Sequence, residues 1–355
     1  MDDLERAHKF FEQKRFDDAL SIYEQRLFLN PNDPWLYNAK GLCLTQLDRD
    51  EEALASFDRA IRLNPQGAVF FYHIGLVFEK TGDIELALQA YKRSLELDST
   101  QLYAWNTLAL LYIKNEDYSN AIVAYQSLLQ YQEDNYNAKH MLLALQGENP
   151  QIASKEYIVD YFDSASSLFD QHLQENLHYE VPNIIASWLK AYTRSGEKVL
   201  DLGCGTGLVA DNLKNSNAIF DGVDLSSKML FVAKEKNLYR NLYQKDVLEF
   251  LTQIKSNSYE IVSAADLFIY IGNLDRVFEE IYRLLPIGGV FIFSTEDCKK
   301  CLEYKLLKSG RFAQAHAYIE ILSENFGFTI LKKEKLIIRQ ESDGNKKGTL
   351  WLLIK

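Results

Sequence analysis

Cysteine, methionine and proline are scarce in this chain, and positive charge is outnumbered. Its 355 residues include only 4 Cys, 3 Met and 6 Pro. The cysteines, at 43, 204, 298 and 301, are too few and too scattered to frame a disulfide-stapled fold, and a reducing, cytoplasmic setting is expected. Cys298 and Cys301 have the spacing of a redox or zinc pair, but no second Cys or His pair lies close to them in sequence, so no metal site is expected. No run of 18 apolar residues occurs, which excludes a membrane-spanning helix. The first six residues, Met1 to Arg6, are acidic and lack the apolar core of a signal peptide. Basic clusters are missing as well. The net charge is −11, and residues 1–150 alone hold 14 basic against 23 acidic side chains. Nucleic-acid binding needs concentrated positive charge, so neither half of the chain suits it.

What is there begins with a repeat. Ala19, Ala53, Ala87 and Ala121 fall in register at 34-residue spacing, as do Tyr23, Phe57, Tyr91 and Tyr125. Gly41, Gly75 and Ala109 form a third column, and Pro31 and Pro65 end two units. Small residues let antiparallel helices approach closely, an aromatic column fills the space between hairpins, and proline closes a helix it cannot continue. The period and these columns resemble tetratricopeptide repeats (TPR). Four units are expected, at about 3–31, 34–65, 68–99 and 102–133, with residues 134–146 as a capping helix. The resemblance implies a surface for a protein partner or peptide; a spacer or a homo-oligomer contact is the alternative. The acidic balance favours a basic or neutral partner.

The second signal is a run from Val199 to Ala210. A short apolar strand ends at Asp201, glycines follow at 203, 205 and 207, and a helix-compatible segment comes next. Such a turn brings bare backbone close to a ligand. A dinucleotide fingerprint would require Gly or Ala at position 208, where Leu208 stands. Asp201 with Gly203, Gly205 and Gly207 instead resembles the first motif of class I S-adenosylmethionine (SAM) methyltransferases. Later landmarks extend that likeness in order. Asp224 ends a second apolar strand where an acid would accept two ribose hydroxyls. Leu225 and Met229 fall in the segment that lines the adenine pocket in that family. Asp246, followed by Val247, stands where an acid receives the adenine amino group. Ala265-Asp266 follows a fourth strand. Leu285, Pro286, Gly288 and Gly289 match the family's entry to a fifth strand. Cys204, inside the glycine loop, is read as a packing residue at the cofactor.

The segment containing Tyr161, Phe162, Asp163, Phe169, Asp170 and His172 resembles one in a bacterial group of TPR-repeat methyltransferases. A comparable helix precedes the first strand in malonyl-carrier-protein methyltransferases and covers the cofactor there. The likeness implies that Tyr161 and Phe169 wall the methyl-transfer site, and His172 is read as structural. Ala265 to Leu274, Phe291 to Glu296 and Gly310 to Tyr318 continue the likeness, with Asn273 and Gln314 departing from the group's Asp and His.

The expected architecture is therefore an all-α TPR solenoid, residues 1–147, followed by an α/β Rossmann-like domain, residues 152–355. Lid helices occupy 152–192, and a seven-stranded, mostly parallel sheet with an antiparallel last strand completes the fold. The expected cofactor is SAM. Asp266, Tyr270, His316 and Tyr318 are the candidate catalytic residues, with Glu296 as a further polar candidate. A carboxylate acceptor needs no base, whereas a hydroxyl or ammonium does. The expected activity is methyl transfer to a small-molecule or carrier-tethered acceptor. A protein methyltransferase whose TPR groove presents the target, or a non-catalytic SAM-binding scaffold, is the alternative.

Overall fold

A computed structural model describes residues 3–165, 179–193, 196–341 and 344–355. Phe169, Asp170 and His172 lie outside the described residues. Two compact units divide the chain, Met1–Ala138 and Lys139–Lys355.

The first unit is a series of helical hairpins: α1 (Asp3–Glu12), α2 (Phe16–Leu29), α3 (Pro34–Gln46), α4 (Asp50–Leu63), α5 (Ala68–Thr81), α6 (Ile84–Leu97), α7 (Leu102–Lys114) and α8 (Tyr118–Tyr131). Asp33 caps α3 by accepting from the amides of Trp35 and Leu36, and Pro34 follows at the position where its missing N–H costs nothing. The glycine and aromatic columns meet inside each hairpin. A Cβ on Gly41 would lie 2.6 Å from the Phe57 ring, and one on Gly75 would lie 2.6 Å from Tyr91. Phe57 also reaches forward to His73 of the next hairpin, at 5.9 Å between ring centroids. The His73 ring is hydrogen-bonded to Asn38 at 2.7 Å, and burial lowers its pKa to about 4.

Helix α9 (Tyr136–Gln146), expected as the cap, contains the division between the units. The side chain of Asn135 starts it by accepting from the amide of Ala138.

The second unit opens with α10 (Lys155–Ala165) and α11 (Val181–Leu189). Strands and helices then alternate: β1 (Lys198–Leu202), α12 (Leu208–Asn212), β2 (Ile219–Asp224), α13 (Ser227–Glu235), β3 (Tyr239–Gln244), α14 (Val247–Gln253), β4 (Ile261–Ala264), α15 (Asp275–Leu284) and β5 (Val290–Glu296). A small hairpin follows, β6 (Tyr304–Leu306) and β7 (Phe312–Gln314), then α16 (His316–Phe326), β8 (Thr329–Glu341) and β9 (Gly344–Ile354). The main sheet has the order β3-β2-β1-β4-β5-β9-β8. Its first five strands are parallel, and β9 runs antiparallel to both β5 and β8. The seven-stranded, mostly parallel sheet with an antiparallel last strand is thus as expected, while the β6–β7 hairpin, a separate two-stranded sheet, was not expected.

Alternation along the strands sends side chains to two cores. Leu200, Phe291, Phe293 and Trp351 face α14, α15 and α16, whereas Val199, Ile292, Leu350 and Leu352 face α11 and α12. Among the described residues no helix is long and apolar enough to cross a membrane. Cys298 and Cys301, to which the sequence reading gave no role, are joined by a disulfide just beyond β5.

Gly75→Val should lower the stability of the repeat array by about 1–3 kcal/mol or more, the range for forcing atoms into a filled core. Gly82→Ala, at φ +89 but with open space around the added carbon, should cost only about 1–2 kcal/mol of left-handed strain. Urea denaturation of both variants compares them, and equal or reversed losses would contradict the packing described for the columns.

Candidate functional site

Order reversal in a parallel sheet opens a crevice where the chain leaves adjacent strands in opposite directions. Here that point lies between β1, whose chain returns through β2, and β4. A cavity of about 1180 Å³, its open mouth included, occupies the carboxyl ends of these strands.

A glycine loop, Gly203 to Gly207, runs under the cavity, and its first four residues form the floor. All three glycines have positive φ, at +63°, +52° and +88°. Their surroundings differ. A Cβ at Gly203 would lie 2.9 Å from Leu267, and one at Gly207 would lie 2.9 Å from the Tyr239 ring. At Gly205 it would meet nothing within 4 Å. Gly205 therefore leaves room beside exposed backbone, while its neighbours serve close packing.

Carboxylates stand around this floor. Asp201, at the end of β1, is buried; it accepts from Tyr239 Oη at 2.7 Å and from Ser263 Oγ, on neighbouring β4, at 2.8 Å. Burial outweighs those two hydrogen bonds and raises its pKa to about 6. Asp224 ends β2 and accepts from the amides of Gly205 and Ser226, each at 2.9 Å. The Leu225 amide is a third donor to it, and a carboxylate has about four acceptor sites, so acceptor capacity remains. Burial raises its pKa too. Asp246 caps α14 through the Glu249 amide at 3.0 Å. Cys204 is buried, its sulfur packed where a Gly222 side chain would lie.

On the other side, α10 supplies Ile158, Tyr161 and Phe162 to the wall. The helix is held by Asp163, whose carboxylate accepts from Ser226 Oγ at 2.5 Å and whose carbonyl accepts from Lys228 Nζ at 3.0 Å. Its preceding strand segment is pinned by the Ala153 amide donating to the Tyr270 carbonyl at 2.9 Å. The Phe162 ring packs edge-on against Tyr270 at 5.4 Å. Tyr179 and Tyr270 are almost fully buried, and burial puts both phenols well above their ordinary pKa.

Asp266 follows β4 with φ +55°, a backbone conformation that Asp tolerates better than most residues. Its amide donates to Ser294 Oγ, and its carboxylate is held by Arg339 at 2.9 Å. Arg339, from β8, also reaches Glu296 at 2.7 Å and is only 2% exposed.

The structure thus brings Tyr161, Asp201, Gly203, Cys204, Gly205, Asp224, Leu225, Asp246, Val247, Ala265, Asp266 and Tyr270 to one cavity. Gly207 and Met229 do not line it: the first packs on Tyr239 and the second is fully buried in α13. His316 and Tyr318 also lie away from it. The His316 ring is bonded to Asp297 at 2.9 Å and to Thr349 at 2.9 Å, while Tyr318 donates to Asp275 and accepts from the Leu274 amide. Those bonds tie α16 to β9 and to the start of α15, which is structural work. Of the lining residues not expected from sequence, Arg311 and Arg339 carry charge. Arg311 was visible only as part of the Gly310 to Tyr318 likeness. Among the described residues no group of three or more His, Cys, Asp or Glu side chains is placed to hold a metal ion.

Residues 200–293 match the family model of a methyltransferase domain, and residues 4–68, 51–101 and 72–138 match that of the tetratricopeptide repeat. A ubiquinone biosynthesis O-methyltransferase of Acinetobacter baumannii (strain AYE) is 26% identical over 137 residues, covering 37% of this chain and 58% of that one. One of the same description from Coxiella burnetii (strain Dugway 5J108-111) is 33% identical over 106 residues, covering 29% and 45%. The chain thus spans about half the length of these curated relatives. Among solved structures, magnesium protoporphyrin IX methyltransferase from Synechocystis PCC 6803, with SAM bound, aligns at a TM-score of 0.44 and 20% identity, covering 57% of this chain and 96% of that one. Phosphoethanolamine N-methyltransferase 2 of Haemonchus contortus aligns at 0.46 and 20%, covering 58% and 61%.

The glycine loop yields a direct comparison. Gly207→Ala combines left-handed strain with a clash against Tyr239, whose hydroxyl holds Asp201, and should cost a few kcal/mol, more than the ~1–2 kcal/mol of backbone strain alone. Gly205→Ala should cost only that strain. Thermal unfolding of the two variants without ligand is the measurement, and a Gly205 variant as unstable as the Gly207 variant would contradict the open space described there.

Proposed function

We propose that this chain, a tetratricopeptide-repeat array joined to a methyltransferase domain, transfers a methyl group from SAM to an acceptor bound in the same cavity. The observation that carries the reading is Gly205: bare left-handed backbone on the cavity lining, with open space beside it, next to an Asp224 carboxylate with acceptor capacity to spare. The residues present fit the cofactor. Asp224 would take the ribose hydroxyls, Asp246 the adenine amino group, and Leu225 and Val247 the faces of the base. The glycine loop with Asp201 would hold the amino-acid portion. When bound, SAM supplies a methyl group on a positively charged sulfur, open to in-line attack by a lone pair.

The chain's own residues then have three tasks. They align the acceptor near contact distance with the methyl, which can supply several kcal/mol by orientation alone. They exclude water, for which Phe162 and the buried rings of Tyr179 and Tyr270 are suited. They surround a cationic sulfur with carboxylates and aromatic faces. We assign recruitment of a protein partner or peptide to the repeat array, a role supported by its repeat family.

Isothermal titration calorimetry tests the cofactor site. Gly205→Val should abolish SAM binding while the protein stays folded, because its side chain fills the space beside the loop. Asp224→Ala should weaken binding by ~1–3 kcal/mol, the usual loss for hydrogen bonds to a charged group. NADH binding more tightly than SAM, or unchanged SAM affinity in the Gly205 variant, would sink the assignment.

The raised pKa of Asp201 adds a pH signature. Without ligand its carboxyl titrates near pH 6, so its ionisation as pH rises through that value opposes folding, and the neutral form is favoured below it. A bound sulfonium or ammonium favours the ionised form. SAM affinity should therefore rise between about pH 5 and 7 and then level, by about tenfold for each unit by which binding lowers the pKa. Asp201→Asn should flatten that rise, and a steep dependence surviving in the variant would assign it to another group such as Asp224.

A further inference from the structure

Cys298 and Cys301 lie outside the cavity, yet they are joined to each other across two intervening residues. We propose that this pair is a thiol–disulfide exchange site, opened by a thiol reductant and closed by a disulfide oxidant. Opening it loosens the part of the cavity wall made by Ile269, Tyr270 and Ile271.

The pair is a poor staple and a good exchange site. A crosslink stabilises a fold more the longer the loop it closes, so one that spans two residues adds little. Both cysteines are partly exposed, and Lys299, Lys300 and Leu302 beside them are exposed, so an attacking thiolate reaches the sulfurs from solvent. The Cys-x-x-Cys spacing and the two neighbouring ammonium groups favour the thiolate of a released cysteine, which makes that cysteine a better leaving group. The remaining cysteines, Cys43 and Cys204, are free and buried.

A short series of bonds couples the disulfide to the cavity. The Cys298 amide donates to the Gln314 carbonyl at 2.9 Å, and Asp297 pairs with the same residue as an isolated parallel bridge. At the other end of the loop the Glu303 carbonyl accepts from the Ala315 amide at 2.7 Å. A closed disulfide thus holds both ends of the loop against the end of β7. Gln314 is fully buried, and its side-chain amide donates to the carbonyls of Phe268 at 2.9 Å and Ile271 at 3.0 Å. The Phe312 amide adds a bond to the Ile269 carbonyl at 2.8 Å. Those three carbonyls belong to the segment whose Leu267, Ile269, Tyr270 and Ile271 line the cavity. Glutamine at 314 suits this task, since its one nitrogen carries two donors and a histidine ring nitrogen carries one.

The exchange balances in two steps. A thiolate of the reductant forms an S–S bond to one sulfur of the pair as the Cys298–Cys301 bond breaks, and the electron pair of that bond stays on the other sulfur. A second thiolate of the reductant then displaces the first cysteine from the mixed disulfide. The pair gains two electrons and the two protons that the reductant's thiols gave up, and the reductant leaves as its own disulfide.

Two measurements on the full chain test this. In the first, the folded protein is equilibrated in glutathione buffers of varied reduced-to-oxidised ratio, labelled with a maleimide and weighed by mass spectrometry. Two labels, on Cys298 and Cys301, should appear and vanish together as the ratio changes, with Cys43 and Cys204 unlabelled. A pair that stays oxidised in reduced glutathione until the protein is unfolded would be a structural staple and would overturn the proposal. Thiols that stay unpaired in oxidised glutathione would overturn it as well. In the second, hydrogen exchange is compared between the reduced and oxidised forms. Peptides covering residues 265–272 should exchange about tenfold or more faster after reduction, while the repeat array is unchanged. The double variant Cys298→Ser, Cys301→Ser should exchange at the reduced rate in either buffer. Equal exchange of the two wild-type forms over 265–272, or a double variant that matches the oxidised form, would overturn the coupling to the cavity wall.

Discussion

One buried guanidinium holds the carboxyl ends of the central strands together. Arg339 comes from β8, near the sheet edge, and sits between Asp266, just past β4, and Glu296, at the end of β5. A charge with 2% exposure is tolerable only if paired and hydrogen-bonded, and removing one partner of such a group usually costs several kcal/mol. The strand ends are therefore tied to a single arrangement. Asp266 is kept in its left-handed conformation against the cavity, and its carboxylate is occupied. A wall that would otherwise offer a free base offers a neutralised one, and this restricts the chemistry that the cavity can perform.

The cofactor side was legible because its demands are local. A turn that passes bare backbone beside a ligand needs glycine within a few residues of a strand end, and Asp201, Asp224 and Asp246 each follow an apolar strand or begin a helix. Sequence spacing encodes such features. The repeat columns were legible for a related reason: Gly41 faces Phe57 and Gly75 faces Tyr91 at a fixed separation along the chain, so each contact recurs in register.

The opposite wall of the cavity was not legible, because its contacts span the chain. Arg339 is 73 residues from Asp266, and in sequence it looks like any charge on an amphipathic strand. Lys332, Lys333, Glu334 and Lys335, on the same strand, are indeed solvent-exposed. The β6–β7 strands are three residues each, too short to show a period, and their anchors lie at 140, 149 and 269. His316 and Tyr318 illustrate the converse. Their motif was clear, but their side chains turn to Asp297, Thr349 and Asp275, where they fasten α16 to its neighbours.

The cavity between β1 and β4 is proposed to hold an adenosyl ligand beside the glycine loop. A crystal structure of the full chain grown with S-adenosylhomocysteine measures this directly. The ribose is expected on Asp224, the adenine beside Asp246 and Val247, and the amino-acid portion against the glycine loop. An adenosyl group bound elsewhere, or a cavity that stays free of it at saturating ligand, would contradict the account.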